Sequence, residues 1–338
     1  MLKRKRGKSR DAVVGIACGH NRLSVTLMRA GEVKKSIWTE VGENIVAGSV
    51  IKSDTLFAAL LKETLREQKI SCKNAAFALP GEAVLTRIVT MPQMDDERIR
   101  INIPFEFRDF IQGELKDYVF DYAYMPMERT VNQAGEPVIT LFAAAVSHAY
   151  LEEVKSLFKM VGLKLVKATP ETCAFESLLR LLPEEERDRE RCFLDIGNNH
   201  SRMLIYKNGR YKLMHMIDIG ERRIIQAVAD EMNVDMHIAA TYLRTRYEGC
   251  DRLPAAENVY KDISLEILKG INFYEVSDMS ARLADVTICG SGAMIEPLVA
   301  LLRERITMKV TTMDELLPKW NTDGMLNITA QSLGLVFD

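Results

Sequence analysis

The sequence predicts an α/β protein built from two related halves around a cleft. Three observations point there. Strand-like and helix-like segments alternate along the chain, a glycine hairpin recurs once in each half, and a third glycine turn, Gly290-Ser291-Gly292, joins a strand to a helix.

The elements follow in order. Val13 to Ile16 and Leu23 to Arg29 are apolar runs that read as strands. Asp54 to Gln68 reads as a helix with Ser53 as N-cap and Leu56, Leu60, Leu61 and Leu65 on one side. Ala75 to Leu79 is a short apolar strand ending at Pro80-Gly81, and residues 138–146 form another apolar run. Next comes a helix capped by Ser147, striped by Leu151, Val154, Phe158 and Val161, with Gly162 just past its end. Pro170 suits the first position of a helix running through Leu182. Pro183 to Arg191 is charged and poor in core residues, and reads as the junction between halves.

The second half restarts with strands at Cys192 to Ile196, Arg202 to Lys207 and Arg210 to Met216. Asn208-Gly209 between the last two predicts a tight hairpin, because both central residues must take positive φ. Helices are expected at about 219–232, 235–247 and 257–275, then a strand over Asp285 to Cys289 and a helix over Ala293 to Arg305.

The repeat is the most informative feature. Ala17-Cys18-Gly19-His20-Asn21 and Asp195-Ile196-Gly197-Asn198-Asn199 each lie between an incoming and an outgoing strand. The same offset separates Gly19 from Gly197 and Gly31 from Gly209, which reads as an internal duplication. Glycine lets backbone approach a phosphate closely, and turn N–H groups can point into the anion. Two such hairpins facing each other would clamp a polyphosphate; on spacing alone, two ordinary hairpins on unrelated surfaces fit as well. The Gly290 turn adds weight, since a strand–glycine–helix junction sets bare backbone and a helix N-terminus against a nucleotide.

Bulk properties set outer limits. The 338 residues are 47% apolar and 27% charged, with a net charge of -2, which excludes nucleic acid as a partner of the whole molecule. Cys18, Cys72, Cys173, Cys192, Cys250 and Cys289 are scattered singly and read as free thiols of a reducing compartment. No apolar run is long enough to span a bilayer and no signal peptide opens the chain, so a cytoplasmic protein is expected, with membrane contact indirect. Lys3, Arg4, Lys5, Arg6, Lys8 and Arg10 make residues 1–11 a basic tail, either solvated and disordered or weakly attracted to anionic lipid.

This layout resembles the actin-like ATPase superfamily and, within it, the PilM family of type IV pilus assembly proteins. In the first half the stretches that carry the resemblance are Val14-Gly15-Ile16, Phe77-Ala78-Leu79-Pro80-Gly81 with Thr86-Arg87, Met91-Pro92, an acidic-led helix from Asp95 to Glu114, Asp121-Tyr122 and Ala143-Ala144-Ala145. In the second half they are Leu194-Asp195-Ile196-Gly197, Ile219-Gly220, Ile288 through Ala293 and Ala330 to Leu335. The resemblance implies an actin-like ATPase fold with an FtsA- and PilM-type inserted subdomain. The expected division is 12–74 with 169–190 as the first core, 75–168 as the insertion, 191–225 with 284–338 as the second core, and 226–283 as a helical, adenine-side subdomain. It further implies ATP or ADP bound with magnesium. Gly19, His20, Asn21, Arg22, Gly197, Asn198 and Asn199 would lie at the phosphates, Asp195 would hold magnesium through water, and Gly290, Ser291, Gly292 and Ala293, with Arg244 nearby, would lie at the nucleoside. A PilN-like single-span membrane protein would dock its tail beside the insertion, at Phe77, Leu79, Arg87 and the 95–114 helix, and self-association is a further expectation.

Two departures stand out. The first hairpin carries Ala17 where the superfamily has an aspartate, so magnesium affinity and hydrolysis are expected to be weak or absent. His20 and Arg22 replace small hydroxyl residues and either hold phosphate directly or face solvent. Competing classes are a type II secretion component, an FtsA-like division scaffold and a small-molecule kinase. The kinase needs a placed aspartate base that no distinctive motif supplies; the division scaffold needs a C-terminal amphipathic helix, for which Leu333 to Asp338 leaves no room.

Overall fold

The computed structural model describes residues 12–48, 50–125, 131–132, 134–278 and 281–337; the basic stretch 1–11 lies outside them. The first half runs β1 (Val13–Cys18), β2 (Arg22–Arg29), β3 (Glu32–Glu40), a small hairpin of β4 (Val46–Ala47) and β5 (Val50–Ile51), α1 (Asp54–Glu67) and β6 (Asn74–Leu79). An excursion follows as β7 (Val84–Pro92), α2 (Asp96–Asn102), β8 (Tyr118–Met125) and β9 (Val138–Ser147). The chain returns as α3 (His148–Val161), β10 (Lys164–Pro170), α4 (Glu171–Leu179) and the short α5 (Glu184–Arg187). The second half runs β11 (Arg191–Ile196), β12 (Ser201–Lys207), β13 (Arg210–Ile217), α6 (Glu221–Met232), α7 (Met236–Thr245), α8 (Pro254–Ser277) and β14 (Asp285–Cys289). It closes with α9 (Glu296–Arg305), β15 (Lys309–Thr312), α10 (Met313–Leu316) and α11 (Leu326–Leu335).

The repeat in the sequence is a repeat of topology. One sheet is ordered β3-β2-β1-β6-β10 and the other β13-β12-β11-β14-β15. Each is an antiparallel meander of three strands, with two parallel strands added beside its first. The closing turns match too: Ala30 and Gly31 have φ of 54° and 80°, Asn208 and Gly209 of 53° and 68°, the positive values a tight hairpin needs. Ser53 and Ser147 cap α1 and α3 by accepting the N–H of Leu56 at 3.3 Å and of Tyr150 at 3.2 Å.

The central strands are buried on both faces, as parallel strands between layers must be. Val14, Ile16 and Phe77 pack with Phe57, Leu61 and Phe158 of α1 and α3. Leu194, Ile196 and Val286 pack with Ile224, Ile263, Ile267 and Leu298 of α6, α8 and α9. Between the two sheets α4 and α11 cross, burying Phe175 and Leu178 with Phe193, Leu204, Tyr206 and Leu333. The crossing is so close that a Cβ on Gly334 would stand 1.9 Å from the Ala174 carbonyl oxygen.

Several boundaries differ from expectation. The inserted subdomain is narrower than 75–168: β6 pairs with β1, β10 with β6, and α3 packs on the first core, leaving only β7, α2, β8 and β9 outside. Its sheet is ordered β7-β9-β8, and Val89, Met91, Leu141 and Ala143 pack on Ile99, Ile103 and Phe107. The expected 95–114 helix ends at Asn102, because Pro104 supplies no N–H and the chain tightens into a 3₁₀ turn. Residues 226–283 have no core of their own, since α6, α7 and α8 share one cluster with the second sheet. The junction ends in buried charge, with Glu190 6% and Arg191 1% exposed. Arg191 donates from Nε and Nη2 to Asp285 at 2.5 and 2.9 Å, a bidentate pair that offsets the desolvation of both groups.

Candidate functional site

The turns after β1 and β11 meet in one cavity of about 350 Å³ between the two sheets. Gly19, His20, Asn21 and Arg22 line it from one side, Gly197, Asn198 and Asn199 from the other, and Gly290 and Ser291 from the end of β14. His20 and His200, one from each half, stand with ring centroids 5.6 Å apart. Burial, and secondarily the neighbouring His200, hold the His20 imidazole below its ordinary pKa, so it is neutral at pH 7.

The second turn is oriented by α6. The N–H groups of Glu221 and Arg222 donate to the carbonyls of Gly197 and Asn198 at 2.9 and 2.8 Å. C=O and N–H of a trans peptide point opposite ways, so the N–H groups of Asn198 and Asn199 are turned away from α6, and both residues line the cavity. Gly220 permits this contact, since a Cβ there would lie 2.4 Å from the Asn198 carbonyl oxygen. In the first turn Gly19 meets no such neighbour: its nearest atom, the Arg22 carbonyl oxygen, would be 3.9 Å from an added Cβ. Gly19 is bare towards the cavity rather than required by packing.

The third turn divides. Gly290 and Ser291 face the cavity, whereas Gly292 and Ala293 are absent from its lining and lie buried beside Ile196. A Cβ on Gly292 would stand 2.3 Å from Ile196 Cγ2, so this glycine serves packing.

Charged residues are arranged differently from expectation. Arg22 pairs with Glu221 at 2.9 Å and lies over Trp38, which joins the two halves. Arg244 is outside the lining and pairs with Glu40, and Arg222 pairs with Glu43 at 2.8 Å, two further bridges between halves. Phe77 and Leu79 are 2% and 3% exposed in the first core and offer a partner no surface. Arg87 lies 4.0 Å over the Phe110 ring on the inserted subdomain.

Some cavity groups went unforeseen. Gly81, Glu82, Glu171, Arg202, Asn327 and Gln331 all line it. Arg202, opposite Asp195 in the β11–β12 ladder, pairs with Asp195 at 2.5 Å and with Glu171, first residue of α4, at 2.6 Å. Burial works against its charge, but the two carboxylates outweigh this and hold the guanidinium protonated. Gln331 of α11 donates to Glu171 Oε2 at 3.2 Å. The Cys18 thiol is pushed up to about 12 by burial, which makes it a poor nucleophile.

The residues present do not fit the expected magnesium site. A hard cation needs free oxygen ligands. Ala17 supplies none, and Asp195, expected to hold the ion through water, is ion-paired with Arg202 together with Glu171. Among the described residues no three His, Cys, Asp or Glu side chains converge on a metal-sized position.

The family model for type IV pilus assembly protein PilM matches residues 28–318. The chain belongs to that family. Its structure is similar to the PilM-PilN type IV pilus biogenesis complex, with a TM-score of 0.78, 17% identity, and 97% of this chain and 98% of that one covered. It is also similar to the ethanolamine utilization protein EutJ from Carboxydothermus hydrogenoformans, with a TM-score of 0.59, 12% identity and coverages of 96% and 89%. A third similar structure is MreB5 of Spiroplasma citri bound to ADP, with a TM-score of 0.51, 11% identity and coverages of 95% and 94%. No curated protein sequence matches this chain. The PilM-family fold is thus the actin-like ATPase fold, and among the described residues no helix is long and apolar enough to cross a membrane.

Proposed function

We propose that this PilM-family chain holds ATP or ADP in the cleft and, so filled, docks the N-terminal tail of a PilN-like membrane protein for type IV pilus assembly. The observation that carries the nucleotide part is the convergence of the Gly19 and Gly197 turns on one cavity, with the Gly290 turn at its end. In that pose the N–H groups of Asn198 and Asn199 take the phosphates from one wall. The bare backbone at Gly19 lets them approach the other, and Gly290-Ser291 lies at the nucleoside. His20 and His200 flank the phosphates as imidazole N–H donors. The similarity to MreB5 bound to ADP supports this reading.

The partner part draws on the PilM-PilN complex. With Phe77 and Leu79 buried, the docking surface for an apolar tail moves to the outside of the inserted subdomain, where Ile88 is 41%, Ile101 61%, Phe105 52% and Phe110 56% exposed. A tail held there would bring this chain to the inner face of the membrane.

Calorimetry with ATP and ADP tests the first part, saturable one-to-one binding being expected and none for a ribose control. A fluorescent peptide from the PilN-like tail tests the second. Ile88→Asp and Phe110→Asp should each weaken the peptide while leaving ATP affinity unchanged. Undiminished peptide binding in both variants would move the docking surface elsewhere.

A further inference from the structure

Arg202 belongs to the cleft, yet neither hairpin turn needs it. Its Cα lies opposite that of Asp195 in the antiparallel ladder, so both side chains leave the sheet on one face, the one lining the cavity. The guanidinium reaches Asp195 Oδ2 at 2.5 Å and Glu171 Oε2 at 2.6 Å. These carboxylates come from different elements, the end of β11 and the start of α4, and the cation alone joins them. Its side chain is 20% exposed, so its charge is not simply solvated. The corresponding positions of the first hairpin, Ala17 and Ser24, are both uncharged.

We propose that Arg202 is a built-in cation of the cleft, so that the anionic ligand binds without a divalent metal. This rests on the nucleotide reading above. A guanidinium carries five N–H donors in a rigid plane. Two are aimed at Asp195 and Glu171, which brings the charge of that group from -2 to -1 where an incoming triphosphate would meet it. A magnesium ion seeking the same oxygens has to displace a cation that is covalently part of the chain.

The test is calorimetry with ATP and with ADP, each in magnesium and in EDTA, on the full chain and on Arg202→Met and Arg202→Lys. For the unaltered chain, affinities with and without magnesium should agree within about twofold, well below the tenfold that 1.4 kcal/mol represents. Arg202→Met should lose roughly tenfold or more in EDTA and recover part of it in magnesium, as Asp195 and Glu171 become available to the ion. Arg202→Lys keeps a cation and should remain largely indifferent to the metal. An unaltered chain that binds ATP only with magnesium overturns the proposal and leaves the nucleotide reading standing. No nucleotide binding in either buffer overturns both. Metal indifference persisting in a folded Arg202→Met also overturns it, since the cation would then not be Arg202. Should Arg202→Met fail to fold, Arg202→Gln, which removes the charge and keeps a polar side chain, is read by the same criteria.

Discussion

The two hairpins share a backbone and differ in charge. Across the β11–β12 ladder Asp195 faces Arg202; at the same register of β1–β2, Ala17 faces Ser24, whose hydroxyl donates to the Ala17 carbonyl at 3.3 Å. At the other end of the same strands the second half sets Arg191 against Asp285, and the first sets Val13 against Asn74. At these matched strand positions a duplicated fold has thus kept its turns and set its ion pairs in one copy. Burying a charge is costly unless it is paired, so Asp195 and Asp285 of the second copy each come with a guanidinium. The uncharged copy gains closeness instead: Ala17 packs with Ala76, Ala78 and Ala174 where the halves cross.

The largest test of this contrast lies at the strand starts. Arg191→Met should lower unfolding free energy by about 3–5 kcal/mol, because Asp285 is left buried without its partner, and Arg191→Met with Asp285→Leu should recover most of that. Val13→Ala at the matching position should cost roughly 1 kcal/mol. Urea unfolding compares the three, and equal losses at the two positions would erase the distinction between copies.

The register also matches Gly292, after β14, to Gly81, after β6. Gly292→Ala drives a methyl into Ile196 and should cost about 1–3 kcal/mol. Gly81→Ala meets only the Glu171 carboxylate at 3.3 Å and should cost less, as thermal unfolding would show. Gly19→Ala should leave stability within about 0.5 kcal/mol yet weaken ATP roughly tenfold by filling the space its bare backbone leaves. A calorimetric affinity unchanged by Gly19→Ala would place the ligand away from the first hairpin.

The smallest effect concerns His20. Its pKa in the folded chain is held below 6.5 by burial and by His200, so the unfolded chain binds more protons just below pH 6.5. The contribution of this group to stability is therefore present above pH 6.5 and shrinks as pH falls towards the folded-state value. An NMR titration should find the His20 midpoint below the ordinary imidazole value and moving up when ATP binds, because phosphate favours the charged ring. A midpoint indifferent to ATP would put His20 outside phosphate contact.

Much of the fold was legible because local signals repeat. Asn208-Gly209 requires positive φ wherever it stands between strands, and Ser53, Ser147 and Gly162 mark helix ends through bonds made within a few residues. Less of the candidate site was legible. Gly19, Gly197 and Gly290 were found through their turns. Glu171 and Arg202 carry no local signature, since one looks like an ordinary first-turn carboxylate and the other like a polar strand residue. Phe77 and Leu79 stand in a distinctive motif, but the motif belongs to a strand buried on both faces.

The sequence alone determined the α/β alternation, the duplication and the glycine turns, because each depends on backbone freedom and hydrophobic period over a few neighbouring residues. Tertiary structure alone decided that the two turns share one cavity, and that the cation between Asp195 and Glu171 is an arginine of the chain. Those facts depend on how two sheets close over α4 and α11, bringing side chains together from distant parts of the sequence.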